Sequence, residues 1–304
     1  MPELPDVTVY IERLHAMFAG HVLSGVRVRS PSLLRTAVPP LSSAAGRKAL
    51  GFERLGKRIV MRLDGDLFLV LHLMIAGRLH VKPLGHSCTG KIDQAAFDFD
   101  HATLLLTEAS SHKRAQLYVH DNRADVAAHD RGGLEVLGSK LADFKKAMRS
   151  ENHTIKRSLT DPRLVSGIGN AYSDEILHHA KMSPVKMTKN FTDAELKTLH
   201  KSCIAMLELW TERLREEVGE RFPEKVTAFR PNMAVHGKFG KPCPVCGTKV
   251  QRIAYANNET NYCPTCQTDG KLLADRGMSR LLKQDWPKTL EELEEHKAAR
   301  KQGS

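Results

Sequence analysis

A chain of 304 residues with 46 Lys and Arg against 35 Asp and Glu carries a formal charge of +11. The length suits two domains rather than one, and 41% hydrophobic residues exclude a disordered or fibrous chain. With no membrane-length apolar run and no signal-peptide layout, the sequence reads as a cytoplasmic protein, its basic surplus suited to a polyanionic partner.

The chain opens Met1-Pro2-Glu3-Leu4-Pro5-Asp6. If Met1 is trimmed, Pro2 becomes a free secondary amine. An α-amino group titrates near pH 8, so roughly a tenth of it is neutral at pH 7, far more than for a lysine side chain. A neutral amine can attack an aldehyde-like sugar carbon to form an iminium, and Glu3 beside it can carry protons. The plainer alternative is a helix start, since Pro and acidic residues both suit a first turn. The spacing of Val7, Tyr10, Ile11, Leu14, Met17 and Phe18 predicts a helix with one buried face, Asp6 as its N-cap and Gly20 as its stop.

From residue 21 to 126 short β-rich runs follow: His21–Val28, Arg58–Leu63, Leu67–Leu73, Ala96–Phe99, Thr103–Thr107 and Gln116–His120. Their spacing predicts an antiparallel sandwich. Lys57 enters one strand as an ordinary edge charge, and His72-Leu73-Met74-Ile75-Ala76-Gly77-Arg78 reads as a strand end running into a turn. Near Asp130-Arg131-Gly132-Gly133 the pattern turns polar, then helical at Ala142–Met148, Ile155–Leu159 and Ala171–Ala180. Gly167-Ile168-Gly169-Asn170 before that last helix offers backbone N–H groups to an anion, although a short Gly-rich turn is weak evidence by itself. Thr192-Asp193-Ala194-Glu195 is a capping box opening a helix whose stripe from Leu196 to Leu214 is core, with Cys203 a small buried hydrophobe within it.

Cys243-Pro244-Val245-Cys246 and Cys263-Pro264-Thr265-Cys266 stand sixteen residues apart. Two such knuckles close a tetrahedral four-thiolate zinc site with no open position, so one structural zinc ion is expected; a disulfide pair is the alternative. Val250–Tyr255 and Thr260–Tyr262 are expected to form a hairpin around Asn257-Asn258-Glu259. A zinc ribbon alone does not name a partner. The tail from Lys271 to Ser304 mixes helical stretches such as Leu290–Glu295 with basic ends and reads as a surface helix with a disordered end, without a functional assignment. Cys88, in a polar loop, has no assignment.

Together these stretches resemble the formamidopyrimidine-DNA glycosylase and endonuclease VIII family of bifunctional base-excision repair enzymes. The resemblance covers about residues 1 to 268. It rests on the Met1–Asp6 start, Gly56-Lys57, His72-Leu73 with Gly77, Asp121-Asn122-Arg123, Ile155-Lys156, Gly167 through Glu175, and Val235-His236-Gly237 leading into the four-cysteine finger that ends Cys266-Gln267. It implies an α+β fold: an N-terminal two-layer β-sandwich with flanking helices (residues 1–130), a helix-two-turn-helix domain (131–236), a zinc-finger hairpin (237–268) and a tail (269–304), with DNA in the cleft. It implies that Pro2 attacks C1′ of the damaged nucleotide, that Glu3 is the general acid/base and that Lys57 contacts the nearby phosphate backbone. Arg123 fills the gap left by the flipped base, and Lys156 and Asn170 hold phosphates. The implied partner is double-stranded DNA with damaged bases or abasic sites, bound by a monomer in a bacterial cytoplasm and nucleoid. Base extrusion is needed because the reacting atoms are blocked inside a stacked duplex.

The sequence also departs from the family pattern. Asp6 stands where Glu is usual. Ile75, Arg123 and Asp125 align with a Met, Arg and Phe set that fills the vacated stack, and only the Arg is kept. Asn258 replaces the hairpin arginine associated with phosphate grip and the later elimination step. Between Glu217 and Val235 the Gly-Gly-Thr-Thr lesion-covering loop of 8-oxoguanine specialists is missing. The reading is therefore a glycosylase with AP lyase activity favouring oxidised purines. An oxidised-pyrimidine enzyme and a catalytically impaired damaged-DNA-binding protein are the alternatives, and a zinc-ribbon protein adaptor is a third, separated by whether binding weakens steeply with salt.

Overall fold

The computed structural model describes residues 1–254, 258–274 and 287–302. The chain separates into two compact units. One comprises residues 1–133 with 207–227, and the other 134–206 with 228–304.

In the first unit, α1 (Leu4–Phe18) buries Val7, Tyr10, Leu14 and Phe18. Its N-cap is Glu3, not Asp6: Asp6 sits at the third helical position, and its carboxylate accepts from the Glu3 N–H at 3.0 Å. The expected cap was displaced because Glu3 and Asp6 form a reciprocal capping box, which starts the helix three residues earlier than hydrophobic spacing alone indicates. Gly20, with φ +86°, turns the chain out of the helix as expected.

Eight antiparallel strands follow: β1 (Val22–Val28), β2 (Arg47–Leu55), β3 (Arg58–Leu63), β4 (Leu67–His72), β5 (Gly77–Pro83), β6 (Asp93–Phe99), β7 (Ala102–Glu108) and β8 (Gln116–His120). Their order is β5-β7-β6-β1-β2-β3-β4-β8, and the β1–β2 join is only two residue pairs wide. Either side of that join the strands present alternate residues to one shared core. Leu79, Phe97, Leu104 and Leu106 come from one half; Ile59, Met61, Leu69 and Leu117 come from the other. This is the two-layer sandwich. β2 and β5 carry too many charged residues to stand out as strands in sequence.

A short helix α2 (Arg123–Ala127) follows β8, capped by the Asn122 side chain, which accepts from the Asp125 N–H at 2.8 Å. Residues 207–227 belong to this unit because Val226 and Phe222 pack on the sandwich core and Arg215 grips the Glu12 carboxylate at 2.6 Å.

The second unit holds α3 (Leu141–Arg149), α4 (Ile155–Thr160), α5 (Asn170–His179) and the first half of α6 (Asp193–Val218). The capping box at α6 forms as read: the Glu195 carboxylate accepts from the Thr192 N–H at 2.8 Å, and the Thr192 hydroxyl accepts from the Glu195 N–H at 3.2 Å. Strands β9 (Gln251–Ala254) and β10 (Glu259–Tyr262) pair antiparallel, followed by α7 (Pro264–Thr268) and α8 (Leu290–Gln302). Tyr255 and Asn257 of the expected hairpin lie outside the described residues, and Asn258 is exposed at the edge of β10. No helix among the described residues is long and apolar enough to cross a membrane.

Candidate active site and zinc centre

The N-terminus of the first unit is held inside the protein. Pro2 is buried, Glu3 is 3% exposed and Asp6 5%. Such burial of two carboxylates is costly unless they are satisfied, and the capping box supplies backbone donors to both. Because Met1 is present, the Pro2 nitrogen is an amide and the free amine is that of Met1. It stands one residue upstream of the Pro2 amine that trimming would expose. Burial holds this amine below its ordinary range; the nearby charges of Arg78 and Lys57 push the same way, while Glu3 and Asp6 oppose them. Burial likewise lowers the Lys57 ammonium, with Glu3 pulling back. Lys57 sits in the Gly56-Lys57 turn between β2 and β3.

Turn geometry beside this amine explains Gly77. A Cβ there would lie 2.3 Å from the Leu73 carbonyl oxygen, which instead accepts the Gly77 N–H at 2.9 Å. Within that turn Met74 takes φ +52°. The turn presents Ile75 to solvent, 59% exposed. Arg123 is also exposed, anchored to the Glu53 carboxylate and lying 5.6 Å from the Phe68 ring centre. Asp125 is committed to the start of α2, where its carboxylate accepts from the Asn122 amide at 2.8 Å.

In the second unit Lys156 and Asn170 come together around Asp174. The Lys156 ammonium is ion-paired with the Asp174 carboxylate and lies 3.4 Å from the Asn170 and Glu259 carbonyl oxygens. Only 9% of Lys156 is exposed. Asn170 begins α5 after Gly169, at a helix N-terminus whose backbone N–H groups suit an anion. The other Asp174 oxygen lies 2.8 Å from His236 Nδ1 and accepts the Asn261 N–H at 3.2 Å.

The four finger cysteines place their Sγ atoms within 4.8 Å of one another; Cys246 to Cys263 is 3.3 Å and Cys243 to Cys266 is 3.9 Å. Four thiolates at about 2.3 Å from a tetrahedral zinc stand roughly 3.8 Å apart, so the set fits the ion. Both knuckles are tied to backbone: Cys243 N–H donates to the Thr248 carbonyl at 2.8 Å, and Cys263 N–H to the Gln267 side chain at 2.9 Å. His178 Nε2 lies 3.2 Å from Cys243 Sγ, an outer contact of the kind that orients a metal ligand. One structural zinc belongs here.

Comparison with known proteins decides the family. The formamidopyrimidine-DNA glycosylase N-terminal domain matches residues 1–126, the H2TH domain of the same enzymes residues 136–217, and the zinc finger found in FPG and IleRS residues 240–268. The formamidopyrimidine-DNA glycosylase of Thermus thermophilus is 31% identical over 277 residues, 89% of this chain and all of that one. The chain belongs to the formamidopyrimidine-DNA glycosylase family. As a member it is a base-excision repair glycosylase. An uncharacterised formamidopyrimidine-DNA glycosylase-like protein of Mycobacterium tuberculosis is 42% identical over 151 residues, 50% of this chain and 94% of that one. Among solved structures, a complex of a Lactococcus lactis FPG mutant with Fapy-dG-containing DNA has a TM-score of 0.76 at 25% identity, covering 88% of this chain and all of that one. A MutM complex with carbocyclic 8-oxo-G-containing DNA has a TM-score of 0.78 at the same identity and coverages.

Two residues of the glycosylase's N-terminal site escaped sequence reasoning. Arg78 donates to the Val226 carbonyl at 2.5 Å and to the Gly77 carbonyl at 2.6 Å, fixing a permanent positive charge near the amine. His72, at the end of β4, is pushed down to about 4 by burial and by the charges of Arg58 and Lys57. The sequence signal for both is the short His72–Arg78 stretch, a strand end and turn that also carries part of the family resemblance but gives neither residue a role.

Proposed function

We propose that the glycosylase, once Met1 is removed, excises oxidised bases through an iminium on Pro2 and then cleaves the strand. The observation that carries this reading is buried Pro2 beside buried Glu3 at the start of α1, one residue from an amine whose charged form is disfavoured by burial and by Arg78 and Lys57. The same surroundings would favour the neutral, nucleophilic form of the Pro2 amine that trimming exposes. Its lone pair forms the N–C1′ bond as the C1′–base bond breaks, and the departing base takes a proton. Opening of the sugar ring gives the iminium. The C2′ proton, made acidic by that iminium, is then removed and the C3′–oxygen bond breaks. Glu3 moves protons at this centre, and its tie to the first turn of α1 supports that role. Lys57 meets the adjacent phosphate, and Arg123 enters the stack in place of the extruded nucleotide. Asn170 and the N-terminus of α5 take a second phosphate, with Lys156 ordering that loop through Asp174 rather than meeting the phosphate alone.

Oxidised purines are the favoured substrates. The Fapy-dG and 8-oxo-G complexes of structurally similar proteins support this, while another neighbour was captured with an oxidised pyrimidine. A second reading, a damaged-DNA binder with impaired excision, draws on Asp125 being committed to its helix cap and on Asn258 at the finger edge. Borohydride trapping on duplexes with 8-oxoguanine, 5-hydroxycytosine or an abasic site separates them. A covalent adduct at residue 2 that disappears in Pro2→Gly is expected, strongest on the purine lesion. Tight binding of all three duplexes by Met1-processed protein without any adduct would replace the enzyme reading with the binder.

A further inference from the structure

At the far end of α1 from Glu3, three side chains converge that the repair chemistry does not use. His21 follows the Gly20 turn, while Asp100 and His101 form the turn between β6 and β7. His21 Nδ1 lies 2.8 Å from one oxygen of Asp100, and His101 Nδ1 lies 3.0 Å from the same oxygen. The two imidazole rings face each other with centres 3.8 Å apart. One potential ligand atom from each residue lies within 4.8 Å of the other two.

We propose that His21, Asp100 and His101 bind a divalent transition-metal ion of the zinc class, separately from the finger. Imidazole nitrogens and carboxylate oxygens bind zinc at about 2.0–2.2 Å, which places tetrahedral ligand atoms roughly 3.4 Å apart. The observed nitrogen-to-oxygen spacings need to open by only a few tenths of an ångström. Two imidazoles with one carboxylate select zinc, nickel or cobalt over magnesium or calcium, which prefer all-oxygen sets.

Several features show a held arrangement. The second Asp100 oxygen accepts the Val22 N–H at 3.1 Å, and Asp100 N–H donates to the Val22 carbonyl at 3.0 Å, so the carboxylate is locked to the start of β1. His101 packs on Phe18, ring centres 5.3 Å apart, and edge-on against Phe99. Those contacts hold the carboxylate and the His101 ring in place for an ion. His21 and Asp100 are 42% and 45% exposed, leaving a path for the ion and a water at the fourth position. α1 has 15 residues and is therefore about 22 Å long, which separates this site from Glu3. A bound ion would clamp the end of α1 to the β6–β7 turn, making it a structural site.

The test uses full-length protein with its finger zinc in place, titrated with Co2+ and followed by calorimetry and visible absorption. One cobalt ion per chain is expected beyond the zinc. Its spectrum should lack the near-ultraviolet thiolate charge-transfer band that entry into the finger would give. His21→Ala and His101→Ala should each weaken binding at least about tenfold, with finger zinc content unchanged. Asp100→Asn, which keeps shape and removes charge, should do the same and serves if an alanine variant folds poorly. No second ion, or equal binding by the His21→Ala/His101→Ala double variant, overturns the proposal.

Discussion

Glu175 offers the sharpest test of how the second unit is held together. It lies on α5, is 2% exposed, and accepts three backbone hydrogen bonds from one continuous segment. One oxygen takes the Ala234 N–H at 2.7 Å; the other takes the Val235 and His236 N–H groups, both at 2.9 Å. Burial pushes this carboxyl up while the three donors pull it down. In Glu175→Gln the amide oxygen can keep the two bonds to Val235 and His236, now without charge, while its NH2 faces the Ala234 donor. Hydrogen bonds to charged groups contribute about 1.5–3 kcal/mol and neutral ones about 1. Losing one outright and weakening two therefore costs about 3 kcal/mol, and Glu175→Ala, which strands all three donors, costs about 5. The assay is hydrogen exchange of the 234–236 amides, which reads local opening. A change of 3 kcal/mol corresponds to roughly 150-fold faster exchange. Release of finger zinc to a chromogenic chelator should accelerate alongside, since Val235 packs with Cys243, Val250 and Cys263. Wild-type exchange rates in Glu175→Gln would refute the reasoning, because a buried donor facing a donor cannot be neutral.

Three further outcomes follow from the geometry. Histidines 72 and 129 are both held down at about 4, by burial first and then by Arg58. The unfolded chain, with histidine near 6.5, takes up protons that the folded unit does not, so stability is intact above about pH 6.5 and lost as pH falls toward 4; thermal melts of His72→Gln should show a shallower acid slope, and an unchanged slope would remove His72 as a cause. Gly77→Ala must displace the Leu73 carbonyl, 2.3 Å from the new Cβ, and should destabilise the first unit by about 2–3 kcal/mol and slow strand cleavage by moving Arg78; a variant with wild-type Tm and rate contradicts this. Cys263→Ser should drop zinc from one ion per chain to none and expose the β9–β10 amides to exchange, leaving the sandwich melt in place; retained stoichiometric zinc, by metal analysis, would be the contrary result.

Much of the second unit was legible because its signals are local. Two C-x-x-C knuckles, the Thr192–Glu195 box and the first half of the stripe that begins at Leu196 each lie within a few turns of chain, and the structure forms them as read. The sandwich was legible in kind but not in full. β2 and β5 are strands because of their neighbours, Gly77–Pro83 pairing with Ala102–Glu108, and not because of their own alternation. Least visible were contacts between residues far apart in sequence. Arg215 on Glu12 draws residues 207–227 into the first unit, Asp174 draws in Lys156, and Asp100 meets His21. Residue type hints that such charges need partners, but only the fold selects them. Asp6 shows a subtler limit: a cap and a third helical position both favour Asp, and the choice fell to Glu3.

That choice ties the first turn of α1 to the proposed chemistry. The Glu3 carboxylate and the Asp6 backbone meet only when the turn is wound, so in the function proposed above winding the helix and positioning the proton carrier are the same event. With Leu4, Pro5, Asp6 and Val7 all buried, that turn cannot unwind while its surroundings stay packed. Under the proposed mechanism, activity on warming should therefore be lost together with the fold of the first unit, and not before it.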